Sequence, residues 1–318
     1  MSIVQIKSVS DYAKYITFAC IMIMIFGYLT SFWILMNKFD DLFNDISETF
    51  TAKPLAMVNL KILCLALTKT KFKKIVAVLS FFTIFSIESL ITGKLIIPMW
   101  NSQIVSETPK FFYIFWFYQT IVIYYLGIVA ILLHDMFFDI LNVINCYSNY
   151  FVNELKNLDL NGADAKEILK DCIKMHQNIQ RLVWKFTKIV RYPISFQITL
   201  TAYILCTSIF IINKNSGPTG FLIMISIFIM IEILEICAIS QQIETASGDY
   251  ADALMECNWL KSDVEIKKLI LFFLKNLMFP ILKFNLFGMI SVNLKTFLKI
   301  LNAAYRANAV LNHLEKNK

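Results

Sequence analysis

The sequence predicts an all-α, polytopic membrane protein with seven transmembrane helices, a cytoplasmic N-terminus and an extracellular C-terminus. Of its 318 residues, 58% are hydrophobic and 17% are charged, and the mean hydropathy is +0.62. A soluble domain is roughly half apolar and a quarter charged, so this composition suits a surface that faces lipid. Two further observations support the prediction: a series of long apolar runs, and the uneven distribution of lysine between them.

The apolar runs follow one another within a single domain, residues 1–318. Segment 15–36 has no charged residue and is long enough to cross about 30 Å of hydrocarbon at about 1.5 Å per residue. Segment 43–68 is weaker because it holds Lys53 and Lys61. The predicted spans are 15–36, 43–68, 75–98, 111–133, 189–212, 220–240 and 284–314, with cytoplasmic helices within 135–188 and 241–283.

The distribution of charge predicts the orientation. Four lysines fill the short segment between spans two and three: Lys69, Lys71, Lys73 and Lys74. Because basic loops tend to stay in the cytoplasm, this segment is predicted to lie inside. The loop after span one is acidic, with Asp45 and Glu48 among its residues, and is predicted to lie outside. Counting spans from there places the N-terminus and segment 135–188 inside and the C-terminus outside.

No catalytic residue, metal site or cofactor is expected, and the chain is not predicted to be an enzyme. It contains no P-loop, GxGxxG, GxSxG or HExxH motif, and its seven cysteines show no paired spacing. We interpret His134-Asp135, at the inner end of span four, as an interfacial pair, and His176 as a solvated surface residue. The basic residues are scattered, which argues against nucleic acid as a partner.

Acidic residues within the predicted spans are functional hypotheses by default, since charge in hydrocarbon is costly. Glu232 and Glu235 lie three positions apart on one face of span six. Either they act inside the membrane, or this helix extends into the cytoplasm and both are hydrated. In span three, Glu88 either faces a cavity or pairs with Lys94.

A concentration of aromatic residues in spans three and four is a second candidate site. Such side chains either line an apolar pocket that contains few polar groups or face lipid. The candidate pocket residues are Phe82, Phe85, Phe112, Phe115, Trp116 and Gln119.

The C-terminal third carries the most specific pattern. Its residues, in order, are Tyr250, Trp259, Lys267-Lys268-Leu269, Pro280, Gly288, Leu294-Lys295-Thr296-Phe297, Ile300-Leu301, Tyr305 and Leu311. Upstream of them come Pro98-x-Trp100, Tyr118-Gln119 and Cys172-Ile173-x-x-His176. Over residues 95–314, this order and spacing resembles the insect odorant receptor family.

That resemblance implies an olfactory receptor of inverted seven-helix topology, acting as an odorant-gated cation channel in a heterotetramer with the co-receptor Orco. The expected location is the plasma membrane of an olfactory neuron dendrite. The resemblance also implies a pocket for a small volatile ligand among helices two, three, four and six. The implied subunit anchor includes Trp259, Lys267, Lys268 and Pro280, and the implied pore-lining helix includes Leu294, Phe297, Leu301 and Tyr305.

Two alternatives stay open. A gustatory-type receptor channel shares the architecture, but its Thr-Tyr and Gln-Phe signature is replaced here by Ala304-Tyr305 and Asn312-His313. A membrane transporter would show an inverted internal repeat and broken helices in both halves, and the sequence shows no such repeat. Compared with the family, the predicted inner loop at residues 69–74 is very short.

Overall fold

Seven α-helices, one 3-10 turn and one pair of short strands make up the part of the chain described here. The computed structural model describes residues 9–51, 54–92, 109–160, 164–213, 219–257, 259–278, 282–286 and 290–316. The helices are α1 (Val9–Thr51), α2 (Pro54–Thr92), α3 (Pro109–Lys156), α4 (Ala165–Asn213), α5 (Thr219–Glu256), α6 (Val264–Met278) and α7 (Leu294–Lys316). The 3-10 turn is Trp259–Lys261, and the strands are β1 (Asn285–Leu286) and β2 (Ile290–Ser291).

Helix α2 corrects the predicted loop between spans two and three. Residues 69–74 are helical, and α2 continues through them without a break. Pro54 suits the first helical position, and Gly93 follows the last one in the sequence. The residues that favour a helix boundary therefore lie at the two ends of α2 and not at residues 69–74. Lysine is a good helix former, so the four lysines interrupt the hydrophobic run but not the helix.

A second correction concerns the acidic segment after span one. This segment belongs to α1, and the Asp45 carboxylate lies 2.5 Å from Lys185 Nζ and 3.7 Å from Arg181 Nε, both on α4. The acidic segment therefore lies at the same end of the bundle as segment 135–188, and not at the opposite end. Acidic residues contribute little to membrane orientation, so their excess was a weak basis for the prediction.

The contacts between helices fix their directions. Asp45 meets Arg181, while Gly27, nearer the start of α1, packs on the Phe196 ring, so α1 and α4 are antiparallel. Helix α2 is antiparallel to α3, because Lys71 pairs with Asp139 whereas Ser86 accepts a hydrogen bond from Trp116. We call the end with Asp45, Lys71 and Arg181 the charged end. We call the other end, with Ser86 and Trp116, the aromatic end.

Six described helices run between these two ends: α1, α2, α3, α4, α5 and α7. The first of them begins, and the last of them ends, at the aromatic end, since Ala304 of α7 packs with Leu205 and Cys206 near the end of α4. Residues of predicted span two are divided between the end of α1 and the start of α2.

The longest helices exceed a bilayer. Helix α4 has 49 residues, or roughly 70 Å at about 1.5 Å per residue, whereas the hydrocarbon core is about 30 Å thick. In the described residues, four stretches are long and apolar enough to cross a membrane: Leu67–Ile91, Phe111–Lys156, Ala165–Asn213 and Leu222–Glu256. Helix α4 is therefore longer than the hydrocarbon core is thick, and its charged residues, from Lys166 to Arg191, lie toward the charged end.

A core of aromatic rings joins α3, α4, α5 and α6. The His176 ring of α4 lies 5.9 Å from Phe151 of α3, 5.8 Å from Tyr250 of α5 and 5.9 Å from Phe273 of α6, measured between ring centroids. Tyr250 shares a hydrogen bond with Ser148 of α3. His176 is only 4% exposed, so its predicted role as a solvated surface residue is wrong. Its neighbours in space are apolar although its neighbours in sequence are charged.

A short hairpin leads into α7. Strands β1 and β2 pair antiparallel, and the Val292 amide donates to the Phe284 carbonyl at 2.8 Å. Phe284 packs edge-on against Phe186 of α4. Asn293 then caps α7, because its side-chain oxygen accepts a hydrogen bond from the Thr296 amide at 3.1 Å. These contacts fix the starting point and direction of α7 against the bundle.

Candidate ligand site

Aromatic and aliphatic side chains from four helices meet at the aromatic end. We call this set the aromatic cluster: Ile21 of α1, Phe81, Phe82 and Phe85 of α2, Ile123 of α3 and Ile225 of α5. The rings of Phe81 and Phe85 are 4.6 Å apart, and the Phe82 ring lies 5.8 Å from Tyr124 of α3. All six members are half-buried, which leaves part of their apolar surface unpacked within the protomer.

Two glycines let the rings approach neighbouring helices. A Cβ atom at Gly127 of α3 would overlap the Phe82 ring, so only glycine fits there without displacing that ring. A Cβ atom at Gly220 of α5 would lie 3.4 Å from the Phe85 ring, at van der Waals contact. The two rings therefore pack closely against the backbones of α3 and α5.

Few polar groups accompany the aromatic cluster. Thr83 and Tyr124 share a hydrogen bond of 2.6 Å between their hydroxyl oxygens. The Trp116 indole donates to the Ser86 carbonyl at 3.0 Å. Gln119 is buried at 5% exposure on α3. An apolar site with a small number of fixed polar groups is the usual chemistry of a site for small molecules.

The structure unites only part of the predicted pocket. Phe82 and Phe85 belong to the aromatic cluster, and Trp116 joins it through Ser86. Phe112 and Phe115 are half-buried farther along α3, where the Phe112 ring contacts Tyr113 of its own helix. The sequence reasoning missed Ile21, Ile123, Tyr124 and Ile225.

One of these omissions was detectable in the sequence. Trp116, Gln119, Ile123 and Gly127 recur at spacings of three and four, which places them on one face of a helix. Ile21 and Ile225 come from distant parts of the chain and carry no local signal.

A second set of side chains joins α2, α3 and α5 closer to the charged end. We call it the charge cluster: Lys71 and Lys74 of α2, His134, Asp135 and Asp139 of α3, and Glu232 and Glu235 of α5. Lys74 Nζ lies 2.5 Å from a Glu235 carboxylate oxygen and 3.4 Å from Asp135. His134 Nε2 lies 3.6 Å from Glu235, and Lys71 pairs with Asp139.

The charge cluster bears on whether Glu232 and Glu235 are hydrated or enclosed by other helices. Glu232 is 6% exposed, and Glu235 is half-buried against Lys74, so neither is a freely hydrated carboxylate. His134 and Asp135, interpreted as an interfacial pair, are 1% and 2% exposed. A charge is buried at low cost only when it is paired, which explains why the acids and bases of three helices converge here. Glu88 is exposed on α2, and Lys94 lies outside the described residues.

The aromatic cluster and the charge cluster are separated by the same number of residues along α2, α3 and α5. Phe81 is seven residues from Lys74 on α2, Gly127 is seven from His134 on α3, and Ile225 is seven from Glu232 on α5. Seven residues are two helical turns, or about 10 Å.

The predicted anchor and pore residues lie at the charged end and on α7. Trp259 packs against the main core, Lys267 is half-buried and Lys268 is exposed, whereas Pro280 lies outside the described residues. On α7, Phe297 and Leu301 pack inward, while Leu294 and Tyr305 are 40% and 71% exposed. Two of the four predicted pore residues therefore face the protomer's interior, and the other two are exposed.

The comparisons with known proteins identify the family. The family model described as 7tm Odorant receptor matches residues 6–305 of the chain. The chain belongs to the 7tm odorant receptor family. This membership confirms the resemblance drawn from the sequence, and it is a family of membrane receptors, not of enzymes. It also sets aside the transporter and gustatory-type alternatives.

Individual relatives agree with the family assignment. The chain is 27% identical over 187 residues to odorant receptor 94a of Drosophila melanogaster, an alignment that covers 54% of this chain and 48% of the relative. The aligned part thus spans about half the length of that curated relative.

Two solved structures share the fold. The insect olfactory receptor OR5 from Machilis hrabei superposes with a TM-score of 0.70 at 14% identity, covering 96% of this chain and 82% of that chain. The same receptor in complex with eugenol gives a TM-score of 0.72 at 14% identity, covering 98% and 83%. These matches confirm the predicted helical membrane-receptor fold class.

Proposed function

We propose that this odorant receptor subunit binds a small volatile ligand at the aromatic cluster and thereby gates a cation channel. Membership of the odorant receptor family supports the sensory role. The eugenol complex of the Machilis receptor supports the ligand class, since eugenol is a small volatile aromatic molecule. On this proposal Phe82, Phe85, Trp116 and Gln119 contact the ligand, and Phe112 and Phe115 line its entrance.

The register of the two clusters is the observation that carries the gating proposal. A ligand that enters between Phe82 and Ile123 pushes α2 away from α3, and Lys74 on α2 then moves relative to Asp135 and Glu235. A ligand shifts such an equilibrium only by its difference in affinity for the two states. A tenfold shift needs about 1.4 kcal/mol, less than burying two methylene groups at about 0.8 kcal/mol each. Even a weak volatile ligand supplies that difference.

The proposed partner is the co-receptor Orco, in a heterotetramer. Support comes from the outer face of the 3-10 turn and α6, where four large apolar side chains are exposed. Their exposed fractions are 70% for Leu260, 66% for Val264, 56% for Leu271 and 61% for Phe272. Exposed apolar surface of this kind is typical of a subunit interface. Trp259, Lys267, Lys268 and Pro280 belong to the same anchor on this proposal.

The proposed pore wall is the exposed face of α7. Leu294 and Tyr305 lie on that face, whereas Phe297 and Leu301 hold α7 against the rest of the protomer. Lys295, Lys299 and Arg306 are also exposed, so some of the exposed face must contact neighbouring subunits or lipid headgroups if cations are to pass.

We place the charged end in the cytoplasm. It carries the four lysines of residues 69–74, of which Lys69 and Lys73 are exposed, and the basic residues of residues 166–191, and basic segments favour the cytoplasmic side. The first described helix then begins outside the cell. The proposed location is the plasma membrane of an olfactory neuron dendrite.

Co-expression with Orco in oocytes tests the function. We expect odorant-evoked cation current that requires both proteins, with a ligand profile altered by Trp116→Ala. Phe117→Ala is the matched control, because Phe117 adjoins Trp116 but is 61% exposed, away from the aromatic cluster. Absence of current across an odorant panel, with the protein confirmed at the surface, would refute channel function. Equal effects of the two variants would remove Trp116 from the pocket.

A further inference from the structure

Two pairs, each of a cation and an aromatic ring, lie along the outer face of α4, and neither the ligand site nor the anchor uses them. Lys188 Nζ lies 4.8 Å from the Trp184 ring centroid, and the Arg191 guanidinium lies 4.5 Å from the Tyr192 ring centroid. Trp184 is 61% exposed and Tyr192 is 55% exposed, so both rings face outward. Lys188 is exposed as well, whereas Arg191 is half-buried and its guanidinium donates a hydrogen bond to the Tyr192 hydroxyl at 2.9 Å.

The height of these pairs in the bundle can be fixed from their neighbours. Leu141 of α3, Val190 of α4 and Ile236 of α5 line one small cavity, so these three positions lie at the same level. Arg191 and Tyr192 follow Val190 directly, which places them level with the charge cluster. Asn213, where α4 ends, is about 30 Å beyond Tyr192 at about 1.5 Å per residue, which matches the thickness of the hydrocarbon core.

Helix α1 carries a similar feature at this height. Gly27 packs on Phe196, and Trp33 lies six residues farther toward the charged end, which brings it level with Val190. Trp33 is 79% exposed. Exposed tryptophan and tyrosine residues at one level mark the boundary between hydrocarbon and headgroups. Above this level the exposed face of α4 carries no charged residue, with Phe196 40% and Tyr203 41% exposed.

We propose that the outer face of α4 between Trp184 and Phe196 binds an anionic phospholipid. Lys188 and Arg191 contact the phosphate and the acidic headgroup, and one acyl chain lies along Phe196 and Tyr203. An anionic lipid fits better than a zwitterionic one, because α4 has no acidic residue between Asp171 and its end at Asn213. The nearest acid that reaches α4 from α1, Asp45, is already paired with Lys185 and Arg181. This lipid-binding site requires membrane insertion but not channel activity.

Lipid binding to the purified full chain tests the proposal. Native mass spectrometry compares phosphatidylserine with phosphatidylcholine at matched concentrations, for the unmodified chain and for the double variant Lys188→Gln/Arg191→Gln. We expect preferential retention of phosphatidylserine and a loss of about fivefold in its affinity for each cation removed, the factor that corresponds to about 1 kcal/mol per basic residue near anionic lipid.

Lys174→Gln is the matched control, because it removes the same charge from the same helix about 20 Å farther into the charged end. It should bind phosphatidylserine like the unmodified chain. If the double variant elutes as an aggregate, the single variant Lys188→Gln replaces it, since that side chain is exposed and its loss leaves no buried group unpaired. Equal binding of the two lipids would overturn the proposal and leave only non-specific lipid contact. Unchanged phosphatidylserine affinity in the variants of Lys188 and Arg191 would do the same.

Discussion

Lys74 of α2 and Glu235 of α5 meet at 2.5 Å, two helical turns below the rings of the aromatic cluster. Lys74 Nζ is also 3.4 Å from Asp135, so one side chain connects three helices. Its Nζ also lies over the Phe138 ring, 5.4 Å from the ring centroid. Under the proposed function, this lysine is the point where movement of α2 at the ligand site reaches the charged end.

Lys74→Met should destabilise the receptor. It leaves the half-buried Glu235 and the buried Asp135 without their main cationic partner, and such a loss costs about 1–3 kcal/mol. Lys73→Met is the control, because Lys73 is exposed on the neighbouring position of the same helix. Thermal unfolding of the purified protein should show a lower midpoint for Lys74→Met alone. Equal midpoints for the two variants would show that the charge cluster does not hold the helices together.

Gly127→Ala should alter ligand response with little change in helix stability. The added Cβ atom overlaps the ring of Phe82, a candidate pocket residue, so that ring must move. We expect the half-maximal concentration of a bulky odorant to rise about tenfold, equivalent to about 1.4 kcal/mol of binding energy.

The matched control for Gly127→Ala is Gly248→Ala. An added Cβ atom at Gly248 meets nothing within 4 Å, so the alanine improves helix propensity without disturbing a neighbour. Dose–response curves for both variants, recorded at equal surface expression, check the prediction. A shift of equal size at Gly248→Ala would mean that the effect comes from the backbone and not from the Phe82 ring.

Sequence alone predicted the helical fold, the family and part of the aromatic cluster, because apolar runs and motif spacing are local properties of the chain. It failed where a contact between distant segments decides the structure. The lysines of residues 69–74 look like a loop until Asp135, Asp139 and Glu235 are brought beside them. His176 looks hydrated until Tyr250 and Phe273 enclose it.

Cysteine labelling should show that the charged end is cytoplasmic. Lys73→Cys should react with a membrane-impermeant maleimide only after permeabilisation, and Asn213→Cys should react in intact cells, since both positions are exposed at opposite ends of the bundle. Background should be low, because the described native cysteines are buried or half-buried. Burial also raises the pKa of the Cys257 thiol, which lowers its reactive thiolate fraction. The reverse labelling pattern would invert the proposed orientation.

Modification of α7 should distinguish its two faces. Tyr305 is 71% exposed, whereas Leu301 packs with Leu205 and Cys206, so the proposal puts only Tyr305 on the pore wall. A cationic methanethiosulfonate reagent adds a fixed positive charge that repels permeating cations. We therefore expect it to reduce odorant-evoked current through Tyr305→Cys and to leave Leu301→Cys unchanged.

The control for this last measurement is the unmodified receptor with Orco, exposed to the same reagent, which sets the contribution of native cysteines in both subunits. A neutral reagent of similar size separates charge from bulk, because bulk alone blocks with either reagent whereas electrostatic repulsion requires the cation. Since Phe297 and Leu301 hold α7 against the protomer, inhibition at Leu301→Cys with none at Tyr305→Cys would mean that α7 rotates on opening. The pore wall would then be the face that this conformation packs inward.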